Sequence, residues 1–207
     1  MILALEFSRH RRSVAIADGK DVLARVETDD VKRPPLTLID EALKKASLNR
    51  TAIETISIGI GPGSYTGIRS AIATAQGWQL ARNTNLLPIP STEILAASAA
   101  ANSQRGELHF IIDAQRHEFY HTTWQLTEDN QSQTTPLHII TASGAAELKA
   151  SGPDSAGLPS CEPLFPDAAI LAQPAAGRTD FQLGDTIEPI YLRPIELPNA
   201  PPPPHPH

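Results

Sequence analysis

Along the first thirty residues, apolar side chains gather in short β-like runs. Residues 2–7, 13–17 and 22–28 are short aliphatic runs separated by polar turns, and Asp18-Gly19 between the last two is a strong hairpin signal. A helical period follows. Leu36, Ile39, Leu43 and Ala46 share one helical face over residues 36–47, with Pro34-Pro35 setting the entry. Residues 55–60 alternate, and residues 66–82 place Ile68, Ile72, Ala75, Leu80 and Ala81 near one helical stripe. A short strand at 86–89 leads into an alanine-rich helix over 92–101, with Ser91 or Thr92 available as its cap.

After a polar break at 100–106, a second series begins with a strand at 108–112, a turn at 113–116 and a strand at 119–124. The spacing predicts one helix at 143–149, a long Pro/Gly/Ser-rich loop over 151–166 and a short helix at 167–172. The proline-dominated end from 198 to 207 cannot donate backbone hydrogen bonds regularly and is expected to be extended or disordered. The order β-β-β-α-β-α-β-α matches a ribonuclease-H-like unit, which occurs twice in the actin, hexokinase and Hsp70 class. The expected fold is therefore α/β with two ribonuclease-H-like lobes, the second reduced. Residues 1–103 would form the first lobe, 104–193 the second, and 194–207 a Pro/His-rich tail.

Composition narrows the function. The 207 residues are 41% hydrophobic, enough for a sizeable core, and no apolar run approaches the roughly 20 residues that span a bilayer. The N-terminus has neither the basic flank nor the length of a signal peptide, so a cytoplasmic location is expected. A formal charge of -6 argues against a surface that grips nucleic acid by its phosphates, and the basic His10-Arg11-Arg12 cluster reads as a solvated turn. The single cysteine, Cys161, can form no internal disulfide.

The densest signal is Gly61-Pro62-Gly63-Ser64-Tyr65-Thr66-Gly67-Ile68-Arg69, a glycine-rich turn between a strand and a helix. Such a junction offers free N–H groups at the positive end of a helix dipole. It lacks the lysine of a phosphate-binding P-loop and the spacing of a dinucleotide fingerprint. Ser64 is not flanked as a nucleophile elbow is, and no histidine is marked as its partner. His117-Glu118-Phe119-Tyr120-His121 satisfies the H-E-x-x-H string of zinc peptidases, with Glu147 as a conceivable third ligand. That chemistry needs a helical turn to bring the imidazoles within about 6 Å. Phe119, Tyr120, Thr122, Thr123 and Trp124 favour a strand, on which the two histidines lie about 13 Å apart. Glu6 and Asp113 stand near strand ends, where a nucleotide-bound metal would be organised in an ATPase of this class, but the second half has no glycine-rich phosphate loop.

The segment 61–69, followed by Ala71-Ile72-Ala73-Thr74-Ala75-Gln76-Gly77, resembles the signature of the TsaB family of tRNA threonylcarbamoyladenosine biosynthesis. Asp113-Ala114-Gln115-Arg116-His117-Glu118-Phe119-Tyr120 resembles the family's turn and strand, and Pro189-Ile190-Tyr191-Leu192-Arg193 its C-terminal motif. The chain departs from the family at Glu6-Phe7-Ser8, where an Asp-Thr-Ser triplet is usual, and at 30–35, where a histidine is usual. The resemblance implies a noncatalytic subunit with no cofactor and no metal. It also implies partnership with a TsaD-like paralogue, TsaE, or a second copy of itself, tRNA being met only through the complex. Leu36, Ile39, Leu43, Ile72 and Ala75, on helices 36–47 and 66–82, are by this resemblance the candidate partner face. A zinc peptidase, or a relative with a changed partner, is the alternative.

Overall fold

A computed structural model describes residues 1–148, 150–152 and 162–192. Cys161, Arg193, the proline-rich tail and most of the loop expected at 151–166 lie outside the described residues.

The first sheet has the order β3-β2-β1-β4-β5. Its strands are β1 (Ile2–Glu6), β2 (Arg12–Asp18), β3 (Asp21–Thr28), β4 (Thr55–Gly59) and β5 (Asn85–Ile89). β1 to β3 are antiparallel neighbours, whereas β4 and β5 add in parallel on the other side of β1. Parallel neighbours require crossovers, and α1 (Pro35–Lys45) and α2 (Tyr65–Arg82) lie in the connections that provide them. The pleat sorts side chains by size. Leu3, Leu5, Val14, Ile16, Ile56 and Ile58 point to the side of α1 and α2, where Leu38, Ile39, Leu43, Ile68, Ile72 and Trp78 meet them. Ala4, Ala15 and Ala17 point to the other side, and their small size admits α5 (Ala168–Ala175) through Ala168, Leu171, Ala172 and Ala175. α5 therefore packs on the first sheet although it follows the second in the chain.

The second sheet has the order β10-β9-β6-β7-β8. It comprises β6 (Gly106–Asp113), β7 (Glu118–Leu126), β8 (Gln131–Thr141), β9 (Ala150–Gly152) and β10 (Glu162–Pro163). β6, β7 and β8 are antiparallel, and β9 and β10 add in parallel. Read from its first strand, this is the same topology as the first sheet, with the last two strands and the intervening helix α4 (Ala142–Ala146) cut short. Both lobes are ribonuclease-H-like and the second is reduced. α3 (Ser91–Ala101) joins them, because Ile94 enters the core under the first sheet while Leu95, Ala96 and Ala99 pack on Phe110, Ile112, Tyr120 and Trp124 of the second. A helix placed between two sheets is buried nearly all round, which explains its alanine-rich sequence.

Several local expectations need correction. The loop expected over 151–166 has short strands, β9 and β10, at its ends, and Arg12, expected in a solvated turn, is buried at the start of β2. β8 has no counterpart among the expected elements. Its residues are mostly polar and contain Pro136, as suits an exposed edge strand. The cap of α3 is Pro90, with Ser91 and Thr92 buried inside the first turn. The helix expected at 143–149 is α4, which ends at Ala146.

Candidate functional site

The glycine loop runs from the end of β4 into α2, and four of its hydrogen bonds tie it to its own chain. The Ser64 N–H donates to the Ser8 carbonyl at 2.6 Å, and the Ser64 hydroxyl caps α2 by accepting from the Gly67 N–H at 3.3 Å. The Gly61 carbonyl accepts from the Ser91 N–H at the start of α3 at 2.7 Å, and the Ile60 carbonyl accepts from the Ile190 N–H at 2.9 Å. The glycines allow this approach. A Cβ at position 63 would overlap the Ser8 carbonyl, and one at position 67 the Phe7 carbonyl. The loop is thus a knot tying the chain after β1, α2, α3 and the C-terminal segment together.

Around this knot, Pro62 and Ile68 are buried, whereas Tyr65, Thr66 and Arg69 are exposed. The Tyr65 ring stacks on Tyr191 with centroids 5.3 Å apart, and the Arg69 guanidinium lies 5.2 Å from the Tyr65 centroid. Beneath the loop, Glu6 is fully buried. One carboxylate oxygen accepts from the Ser8 N–H at 2.7 Å, and the other has no partner. Burial pushes this carboxyl up to about 7.

A polar cleft of about 500 Å³ separates the loop from the β6–β7 turn, lined by Ser8, Arg9, His10, Ser64, Asp113 and Gln115 among others. Asp113 accepts from the Gln115 backbone N–H at 2.7 Å and side-chain amide at 2.9 Å, so it serves its own turn. Among the described residues, no group of three His, Cys, Asp or Glu side chains is arranged to hold a metal ion. His117 has φ 60° in the turn before β7, and His121 lies within that strand, so the helical geometry of a zinc peptidase does not form. Glu147 is exposed just beyond α4.

A second concavity is apolar. A groove of about 580 Å³ between α1 and α2 is lined by Pro35, Leu36, Ala73, Gly77, Trp78 and Ala81, with Arg50 at its rim. Arg50 forms a fork with Asp40 at 2.6 to 3.0 Å and lies 5.9 Å from the Trp78 ring centroid. The Trp78 indole N–H is buried without an acceptor. Of the five helical residues singled out in the sequence, Ile39, Leu43, Ile72 and Ala75 lie in the core of this chain, and Leu36 is 49% exposed at the groove. The groove floor was legible as small residues at Ala73 and Gly77, whereas Arg50 and Trp78 carried no sequence signal for it.

The family model described as "TsaD: tRNA N6-adenosine threonylcarbamoyltransferase" matches residues 35–149, more than half of the chain, including the glycine knot and α2. The protein named TsaB in Haemophilus influenzae is 30% identical over 122 residues, covering 58% of this chain and 51% of that one. The chain belongs to this TsaD-type family, as a divergent TsaB member. The protein named TsaB in Escherichia coli is 27% identical, over 62% of this chain and 56% of its own length. The aligned part thus spans about half the length of the curated TsaB relatives. YeaZ from Pseudomonas aeruginosa has the same fold, with a TM-score of 0.78 at 23% identity over 92% of this chain and 99% of that one. A second Pseudomonas structure of this fold, at 24% identity and TM-score 0.78, is described as similar to peptidase YEAZ, and at that identity only the fold carries over. The glycine knot opens a long helix, and that helix forms one wall of the apolar groove.

Proposed function

We propose that this chain is a noncatalytic scaffold subunit of an assembly that makes N6-threonylcarbamoyladenosine in tRNA, and that it docks through α1 and α2 onto a TsaD-type paralogue. The observation that carries the reading is the groove between these helices, apolar and floored by small residues, so that another helix can approach closely. Two further features support it. The glycine knot turns the Ser64 N–H and the Gly61 carbonyl inward, onto Ser8 and Ser91, and the charge of -6 leaves tRNA binding to a partner. A second copy of this chain or TsaE is a further candidate for the assembly, which works in the cytoplasm and needs no cofactor from this subunit. The departures at Glu6-Phe7-Ser8 keep a relative with a changed partner as the second reading, because they alter the strand end under the knot.

Co-expression with the TsaD-type protein of the same organism tests the proposal. A complex stable to gel filtration at micromolar concentration is expected. Leu36→Asp and Gly77→Arg should weaken it at least about tenfold, as truncations at the centre of an interface do. Both variants should stay folded, since Leu36 is half exposed and a side chain at 77 enters open space. Failure of the wild type to associate, or variants that bind like wild type, would sink the proposal. Capture of a different paralogue by the same face would select the second reading.

A further inference from the structure

Three histidines far apart in sequence meet on the face of the second sheet opposite α3. His109 on β6, His121 on β7 and His138 on β8 form a ladder: His109 Nδ1 lies 3.1 Å from His121 Nε2, and His121 Nδ1 lies 3.3 Å from His138 Nε2. His121 and His138 are direct cross-strand partners, whereas His109 sits diagonally from His121.

The proton positions follow from one end. His138 Nδ1 is 2.9 Å from the Pro136 carbonyl, which can only accept, so this nitrogen carries the hydrogen. In the neutral ring His138 Nε2 is then bare and accepts from His121 Nδ1–H. His121 Nε2 is bare in turn and accepts from His109 Nδ1–H, which also has the Thr123 hydroxyl at 3.3 Å. A single tautomer of each ring satisfies the whole ladder.

The geometry suits a shared hydrogen better than a shared metal ion. The His109 and His121 centroids are 5.3 Å apart and their planes differ by 16°. With nitrogens 3.1 Å apart, the remaining distance is what the two ring radii account for, so the lone pairs face each other nearly head-on. An ion at normal bond lengths needs them to converge at an angle. The middle ring also offers a different nitrogen to each neighbour.

We infer that this ladder is an acid-sensitive latch holding the edge strand β8 to β7 and β6. An added proton at His109 Nε2, 3.9 Å from Glu107, breaks no bond of the ladder. An added proton on His121 or His138 sits on an acceptor nitrogen and breaks the chain. Among the described residues no carboxylate compensates at the centre: β8 carries no acidic residue, α4 is Ala-Ser-Gly-Ala-Ala, β9 is Ala-Ser-Gly, and Glu147 after α4 is exposed. His121 is buried, and that burial, followed by the neighbouring His138 and His109, pushes its ring down to about 4. Among the described residues β8 pairs on one side only, its register with β7 is broken near His121, and on the histidine face the apolar cluster is small, whereas Leu137 and Ile139 pack on the opposite face.

Hydrogen exchange read by mass spectrometry on the full chain, corrected for intrinsic pH dependence, tests the latch. From about pH 7 to about pH 5, residues 131–141 should open on the order of twentyfold more often, while β1 and β4 stay protected. His121→Phe should abolish that pH response. Equal opening of both sheets, or an unchanged β8, overturns the inference. Should the variant fail to fold, nitrogen NMR of the wild-type imidazoles decides. Nδ1–H tautomers at His121 and His138 are expected, and Nε2–H tautomers there overturn the latch. Displacement of all three ring signals by micromolar zinc would also overturn it, in favour of a metal site.

Discussion

One helix in each lobe starts in the same way. Ser64 caps α2 by accepting from the Gly67 N–H at 3.3 Å, and Thr141 caps α4 by accepting from the Gly144 N–H at 3.2 Å. Their surroundings differ. A Cβ at position 67 would overlap the Phe7 carbonyl, whereas one at position 144 would find the Thr141 hydroxyl at 3.6 Å and Ile140 at 4.0 Å, ordinary contacts. The two helices hold different places in the shared topology, so the likeness is one of cap chemistry, and the packing density around it differs. In the first lobe, α2 runs for 18 residues and buries one face in a large core; in the second, α4 runs for 5 and covers little. Strand order comes from connectivity, but stability depends on how much apolar surface the helices cover.

The largest expected effect comes from breaking that contrast at the paired glycines. Gly67→Val should cost at least about 4 kcal/mol, because the added carbons overlap a backbone carbonyl that β1 cannot withdraw. Gly144→Ala should change stability by no more than about 1 kcal/mol, and in the favourable direction, since alanine is the better helix former. Urea denaturation of both variants is the check. A well-tolerated Gly67→Val would mean that the knot is not closed, and a costly Gly144→Ala that the second lobe is tighter than its contacts indicate.

The same contrast explains what could be read from sequence. β1 to β7 and α1 to α3 are legible because their burial imposes a clean period on apolar residues, such as Leu3 and Leu5 or Ile68, Ile72 and Ala75. β8 escapes because an exposed edge tolerates Gln131, Gln133 and Pro136. β9 and β10 have three and two residues, too few to show any period. The glycine knot is visible as punctuation, but the Ser64 N–H donating to the Ser8 carbonyl and the Gly61 carbonyl accepting from the Ser91 N–H depend on long-range packing. The histidine ladder depends on the register of three strands, so only the fold brings 109, 121 and 138 together.

Acid should separate the lobes in opposite directions. Glu6, in the first, is raised from 4.5 to about 7, so it stabilises the fold most below its unfolded value and loses that contribution as pH rises through 7. His121, in the second, is lowered from 6.5 to about 4, so its contribution is present above 6.5 and is lost as pH falls toward 4. Between these limits the two slopes oppose each other. Glu6→Gln keeps an acceptor for the Ser8 N–H and removes the compensating slope. From about pH 7 to about pH 5 the variant should therefore lose about 2 kcal/mol more than wild type in urea titrations. That window stays above the range where Asp180, held down to about 2 by its hydrogen bond with Arg178, begins to lose its own contribution. Parallel pH profiles would show that the Glu6 carboxyl is not the group that opposes His121.

The smallest effect concerns the one glycine inside α2 that nothing crowds. Gly77 faces the groove, and a Cβ placed there meets no heavy atom within 4 Å. In a helix interior such a glycine costs about 0.8 to 1 kcal/mol relative to alanine, chiefly through backbone entropy. Gly77→Ala should therefore raise the isolated chain's stability by up to about 1 kcal/mol, visible as a Tm a few degrees higher. Gly67 and Gly77 lie on the same helix, so opposite signs at the two positions would separate a glycine required by close approach to β1 from one that keeps the outer face low. A destabilising Gly77→Ala would place hidden contacts on that face and remove the open floor on which the proposed docking depends.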